Sequence, residues 1–317
     1  MSNNITLEDV RALLCGWDDI LIITHCNPDA DTLGSAFGIK NAYPDKKIRV
    51  VCADTIPDRL KFITDGEPTD ISAEEYSHIM TVDCAQLHLT GEAGKKYGER
   101  IELKIDHHRT GDDYAKYNYV EDTTGSAGEI VYKIVKDRLN RKTADSLYAA
   151  ISSDTGCFRY SNVSADTHRV AAELIEAGAD HSRINAMLFE NKPKAEIAAT
   201  RLALNNLKYY FDGRVALVTF TNAEKEKNGI DDDSLGAVSS LTREIEGVEL
   251  GIVIKEKTGK DGLYKLSMRS TEAVDCSAVC KLLGGGGHMR ASGGSVTADS
   301  IEEATELTMN AVREIIG

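Results

Sequence analysis

Ile20-Leu21-Ile22-Ile23-Thr24-His25-Cys26-Asn27-Pro28-Asp29-Ala30-Asp31-Thr32-Leu33-Gly34-Ser35-Ala36-Phe37-Gly38-Ile39 is the stretch that decides the fold class. Its apolar, β-branched opening, Ile20 to Thr24, reads as a buried strand. The strand stops at a histidine and two carboxylates, with Asn27-Pro28 forcing a turn between them. A helix then starts near Thr32, with Asp31 or Thr32 placed to cap it. In an open α/β sheet, ligands collect at the carboxyl ends of strands, where this loop lies. One imidazole and two acids converging there suit a hard divalent cation. Taken singly, the same residues are ordinary turn-formers and caps.

The pattern repeats down the chain. Lys47 to Asp54 reads as a second strand, and Ile79 to Val82 as a third that ends in Asp83. Ile101 to Ile105 is a fourth, ending in Asp106-His107-His108. Ser146 to Ile151 is a helix or a strand that runs into Asp154. Alternation of strands and helices predicts a parallel sheet, whose carboxyl ends share one edge. So many carboxylates on one rim would repel unless cations sat among them, and a pair of metals with a bridging carboxylate is the natural solution. The glycine fingerprint of a dinucleotide fold is missing, because Gly34 and Gly38 lie inside the helix.

The chain has 317 residues, enough for about two domains. It is 42% hydrophobic and 28% charged, the composition of a globular protein. A net charge of −14 argues against a broad basic surface for long duplex nucleic acid. It leaves room for a short anionic substrate, since bound cations invert the local field. Cys15, Cys26, Cys52, Cys84, Cys157, Cys276 and Cys280 lack the spacing of a disulfide framework, so small buried thiols in a reducing compartment are expected. No signal peptide and no apolar run of about 18 or more residues is visible, so the expected location is the cytoplasm, with no membrane partner.

The second half opens at Asn191-Lys192-Pro193 and a long helical stretch that reads as a connection between domains. Val215 to Thr221, Leu250 to Lys255 and Tyr264 to Met268 follow as strands. The acidic Asp231-Asp232-Asp233 reads as a solvated turn. Gly284-Gly285-Gly286-Gly287-His288 can bring backbone N–H groups close to a phosphate, as no side chain blocks the approach. The bland reading is a glycine cap after the helix Ser277 to Leu283. Arg269 and Arg290 each suit a terminal phosphate or a structural ion pair. Arg159, just after Asp154, either contacts substrate or braces the loop.

Taken together, these motifs resemble the DHH phosphoesterases. His25-Cys26-Asn27-Pro28-Asp29-Ala30-Asp31 is similar to their first motif, Asp83 to the second, Asp106-His107-His108 to the third and Asp154 to the fourth. Gly284 to Gly294 is similar to the signature of the associated DHHA1 domain. Cys26 and Ala30 depart from the usual residues, at positions that are not ligands. The resemblance implies an α/β chain with a parallel-sheet DHH domain over residues 1–195, a helical linker over 196–212 and a smaller α/β DHHA1 domain over 213–317, with the site in the cleft between them.

It further implies that His25, Asp29 and Asp83 hold one divalent cation, while Asp31, Asp83, His107 and Asp154 hold a second, with Asp83 bridging. The mixed imidazole and carboxylate set suits Mn²⁺ better than Mg²⁺, which prefers oxygen octahedra. Asp106 would orient a histidine, and His108 would contact the phosphate and assist the leaving group. Arg269, Gly285, Gly286, Gly287 and His288 would contact substrate, and Arg159 is a further candidate. Within the family the chain is most similar to the bifunctional enzymes that degrade short oligoribonucleotides and dephosphorylate 3′-phosphoadenosine 5′-phosphate (pAp); a homodimer is part of that resemblance. Competing readings are a phosphodiesterase for linear dinucleotides such as pGpG or pApA, an inorganic pyrophosphatase, and a nucleotide-binding sensor without catalysis.

Overall fold

A computed structural model describes residues 3–71, 74–236 and 238–316. The chain divides into two compact units, Met1–Asn191 and Lys192–Gly317.

The first unit is built on a six-stranded sheet. Its strands are β1 (Asn3–Asn4), β2 (Asp19–Ile23), β3 (Lys47–Val51), β4 (His78–Val82), β5 (Leu103–Asp106) and β6 (Tyr117–Val120), in the order β1-β6-β5-β4-β2-β3. Every pairing in it is parallel. Ile20, Leu21, Ile22 and Ile23 are all buried, as expected of a strand covered on both faces. On one face Ile20, Ile22, Met80, Leu103 and Ile105 pack against helices 30–42, 127–135 and 141–154. On the other, Leu21, Ile23, Val51 and Ile79 meet Ala93 and Tyr97. Because all the strands run one way, the loops after β2, β4 and β5 emerge at the same edge.

The ambiguous segment 146–151 is helical: it lies inside the helix Arg141–Asp154. This helix crosses Ala30–Ala42 very closely. A Cβ on Gly34 would lie 2.4 Å from the Ser146 carbonyl oxygen, and one on Gly38 would lie 2.5 Å from a Leu147 methyl. Gly128, at the start of the helix Ala127–Val135, is equally tight against Ala150, at 2.7 Å. The glycines that failed as a nucleotide fingerprint are thus the contact that brings three helices together. Their approach carries Asp154, the last residue of its helix, to the strand edge.

The second unit has a mixed six-stranded sheet of β7 (Lys208–Tyr210), β8 (Val215–Phe220), β9 (Leu250–Glu256), β10 (Leu263–Ser270), β11 (Gly286–His288) and β12 (Ala291–Thr297), ordered β11-β12-β10-β9-β8-β7. Only β8 and β9 pair in parallel. The linker expected over 196–212 is not a separate segment. Helix Lys194–Asn206 buries Ala199 and Ala203 against Val218, Phe220 and Val253, so it belongs to the second unit, which begins at Lys192. Lys225 and Lys257 meet Asp232, and Asp231 accepts from the Ser234 N–H, so the acid run is neutralised and capped as a turn.

Candidate active site

Seven side chains converge at the carboxyl edge of the parallel sheet. His25 follows β2, Asp83 follows β4, and His107 and His108 follow β5. Asp29 and Asp31 begin the helix Ala30–Ala42, and Asp154 ends Arg141–Asp154. Asp29 also does the capping job considered for its neighbours: its Oδ1 accepts from the N–H groups of Asp31 and Thr32, each at 3.0 Å. Asp31 is fixed from a different element. Its Oδ2 accepts from Ala127 N at 2.8 Å and its Oδ1 from Gly128 N at 2.9 Å, at the positive end of the helix Ala127–Val135.

Two sets of donors meet on Asp83. His25 Nε2 lies 3.7 Å from Asp29 Oδ1 and 3.7 Å from Asp83 Oδ2. His107 Nε2 lies 3.4 Å from Asp83 Oδ1 and 3.7 Å from both Asp31 Oδ2 and Asp154 Oδ2. Asp83 therefore turns one oxygen toward each set. Ligand atoms within His25/Asp29/Asp83 lie within 4.8 Å of one another, as do those of Asp31/His107/Asp154. These are dimensions that two cations of Mn²⁺ or Mg²⁺ size can fill. The backbone supports the same reading, since Asp83 sits at φ 55°, the left-handed region, where a non-glycine residue costs about 1–3 kcal/mol. Strain of that size is retained where the surrounding fold forces it. Here it aims the carboxylate between the two sets.

The site's electrostatics are those of a cluster short of positive charge. Burial presses the His25 imidazole down, but Asp29 and Asp83 outweigh it and raise it to about 11. His107 is likewise raised to about 10 by Asp83, Asp31 and Asp154 against its burial. Burial and the neighbouring carboxylates of Asp83 and Asp154 push Asp31 well above the usual carboxylate range. Burial raises Asp154 to about 6. Asp83 alone in the buried pair goes down, because its contacts with His107 and His25 outweigh burial. The Asp83 Oδ1 atom is buried and has no hydrogen-bond partner. A buried anionic oxygen with ion-pair contacts to imidazoles but no directed hydrogen bond is costly, and a divalent cation is a species that would satisfy it. The residues present fit a pair of such cations.

Asp106 stands behind this cluster. Its Oδ1 accepts from His107 N at 2.9 Å and His108 N at 3.3 Å, and lies 2.8 Å from His108 Nδ1. The contact with Asp106 raises the His108 imidazole above its usual range. His108 keeps 46% of its side chain exposed, with Nε2 free of that contact. The sequence reading missed Lys104. Its side chain is 1% exposed, with Nζ 3.1 Å from Asp106 Oδ2. Strand alternation was the available signal, because residues two apart on β5 share a face.

The remaining candidates are not members of the two donor sets. Arg159 Nε donates to the Gly156 carbonyl at 2.7 Å, so it braces the loop after Asp154. In the second unit, Gly284 at φ 70° closes a Schellman cap: its N–H donates to Lys281 O at 3.1 Å and the Gly285 N–H to Cys280 O at 2.8 Å. A Cβ on Gly285 would meet Gly293 O at 2.3 Å, and one on Gly287 would meet Ala291 O at 2.7 Å. Cap and hairpin thus account for three of the four glycines, while Gly286 faces open space. His288 is exposed at the end of β11. Arg269 Nη1 donates to Met268 O at 2.9 Å, and Arg290 pairs with Glu272.

A parallel α/β sheet whose carboxyl edge gathers imidazoles and carboxylates around Asp83 is fitted to bind divalent cations, and the domains the chain carries make it a metal-dependent phosphoester hydrolase. Residues 19–151 match the DHH family, N-terminal domain, and residues 212–314 match the DHHA1 domain. The chain belongs to the DHH phosphoesterase family. It is 28% identical to the probable bifunctional oligoribonuclease and PAP phosphatase NrnA of Streptococcus mutans, over 90% of this chain and 92% of that protein. It is 26% identical to the bifunctional oligoribonuclease and PAP phosphatase NrnA of Thermus thermophilus, over 93% of this chain and 89% of that protein. The same fold is seen in the crystal structure of an exopolyphosphatase-related protein from Bacteroides fragilis, with a TM-score of 0.88 at 22% identity, covering 97% of this chain and 95% of the other. Among the described residues, no helix is long and apolar enough to cross a membrane.

Proposed function

We propose that this chain hydrolyses short oligoribonucleotides to mononucleotides and removes the 3′-phosphate of pAp. The observation that carries the reading is Asp83, whose two oxygens face two separate donor sets. We assign His25, Asp29 and Asp83 to one divalent cation and Asp31, Asp83, His107 and Asp154 to a second, with Mn²⁺ favoured by the imidazole ligands. Bound there, the two cations acidify an attacking water and offset charge on the phosphoryl group.

The chain's own side chains supply the rest. Oxygen of the water bonds to phosphorus, the bond to the leaving oxygen breaks, and the leaving oxygen takes a proton from His108 Nε2. The water's proton passes to solvent. Asp106 holds the other nitrogen of that ring and so fixes which one faces substrate. From the second unit, Arg269, His288 and the Gly285–Gly287 backbone are assigned to the substrate's far phosphate, on the strength of the family signature.

The test is Mn²⁺-dependent release of mononucleotide from a 5′-labelled RNA trimer, run beside phosphate release from pAp. Turnover of both is expected. Turnover of linear dinucleotides alone would replace this reading with a narrower phosphodiesterase. Metal binding without any turnover would leave a nucleotide sensor.

A further inference from the structure

Lys104 is among the largest fully buried side chains of the described residues, in a strand otherwise made of Leu103, Ile105 and Asp106. An ammonium in such a place needs all three of its hydrogens matched. Lys104 Nζ lies 3.1 Å from Asp112 O, 3.3 Å from Ala85 O and 3.1 Å from Asp106 Oδ2, and 5.3 Å from the centre of the Tyr114 ring. The approach to Oδ2 is an ion pair rather than a directed hydrogen bond, because that oxygen makes none. The room is specific to this cation. A Cβ at Gly111 would sit 3.1 Å from Nζ and 2.6 Å from Ala85 O.

These contacts join three segments. Ala85 belongs to the turn that presents Asp83, Asp106 to the turn that presents both histidines, and Asp112 to the loop beyond. Tyr114 reinforces the join by donating to Cys84 O at 2.9 Å. His108 Nδ1 has two carboxylates to choose between, Asp106 Oδ1 at 2.8 Å and Asp83 Oδ1 at 3.7 Å. Only the first choice leaves Asp83 free for its donor sets. A fixed Asp106 makes that choice: the N–H groups of His107 and His108 hold its Oδ1, and Lys104 holds its Oδ2.

We propose that Lys104 is a positioning residue of the reaction, holding Asp106 so that His108 keeps Nδ1 on it and turns Nε2 to the leaving oxygen. The proposal rests on the phosphoesterase reading above. Lys104 touches neither substrate nor the donor sets. Its effect should therefore depend on whether the leaving group needs a proton.

The experiment compares wild type and Lys104→Met with saturating Mn²⁺ on two substrates: the RNA trimer, and the p-nitrophenyl ester of TMP, whose nitrophenolate departs unprotonated. Wild-type turnover of both tests the phosphoesterase reading by itself. In the variant, kcat on the trimer is expected to fall about 10- to 100-fold, less than the roughly 10²- to 10⁴-fold of general acid catalysis because the acid is misaligned and not removed. KM should hold, and kcat on the nitrophenyl ester should change by less than about threefold. Equal losses on both substrates, or no loss on the trimer, would overturn the proposal. Lys104→Gln, which keeps donors for the carbonyls but no charge, is held to the same split should the methionine variant fail to fold.

Discussion

Asp83 is where local cost and function meet most directly. Its carboxylate is buried, its backbone is left-handed, and its two oxygens face His25 and His107 separately. Asparagine tolerates the same backbone and matches its shape. Asp83→Asn should therefore stay folded while phosphoester turnover falls about 10³-fold or more, as expected when transition-state charge stabilisation is lost. Circular dichroism beside the trimer assay would check this, and retained turnover would rule out the shared role.

The two imidazoles make a second prediction. With pKa values near 11 and 10, His25 and His107 are protonated at neutral pH in the metal-free protein. A cation must displace those protons, so Mn²⁺ affinity should rise between pH 6 and 8 by up to about tenfold per pH unit for each proton released. Calorimetry in buffers of different ionisation enthalpy would count the protons. In the metal-free protein the same groups stabilise the fold fully below the unfolded pKa of about 6.5. That contribution is lost as pH rises through their folded values near 10 and 11.

At the scale of elements, the site depends on a helix crossing that carries no chemistry of its own. Gly34 faces a backbone oxygen and Gly38 a movable leucine methyl, so substitutions at the two should differ. Gly34→Ala should cost about 1–3 kcal/mol in urea unfolding and Gly38→Ala less. Gly34→Ala should also weaken Mn²⁺ binding, because the helix it displaces carries Asp154. Equal costs at the two positions would sink this account of the crossing. Which elements could be read in advance follows from their periodicity. Ile20–Ile23 and Ile79–Val82 announce buried strands. β12, Ala-Ser-Gly-Gly-Ser-Val-Thr, and β11, Gly-Gly-His, lack the alternating apolar pattern and owe their pairing to neighbours. The glycine run Gly284–Gly287, which overlaps β11, is bent by a helix cap at Gly284 and packed against β12 at Gly285 and Gly287.

For the molecule as a whole, the donor sets assigned to cations all lie in the first unit. Mn²⁺ should raise the unfolding transition of residues in Met1–Asn191 and leave those of Lys192–Gly317 unshifted. At a hundredfold excess over Kd the gain is about 2.7 kcal/mol, reversible by chelator. Hydrogen exchange with and without Mn²⁺ would resolve the two units; equal protection in both would contradict the assignment.

Strand-end placement of His25, Asp83, Asp106, His107 and His108 was determined by sequence alone, because hydrophobic runs mark strands and a parallel sheet sends all their carboxyl ends to one edge. The acid and imidazole spacing also carried the family resemblance. Tertiary structure decided what no local pattern encodes. It showed Asp154 arriving from a helix, Asp31 held by the N–H groups of Ala127 and Gly128, and Lys104 tied to Asp106. Residues Asp31 and Gly128 are far apart along the chain, and only close packing of the helices makes them neighbours. Periodicity reports which face of an element is buried; it does not report what that face will meet.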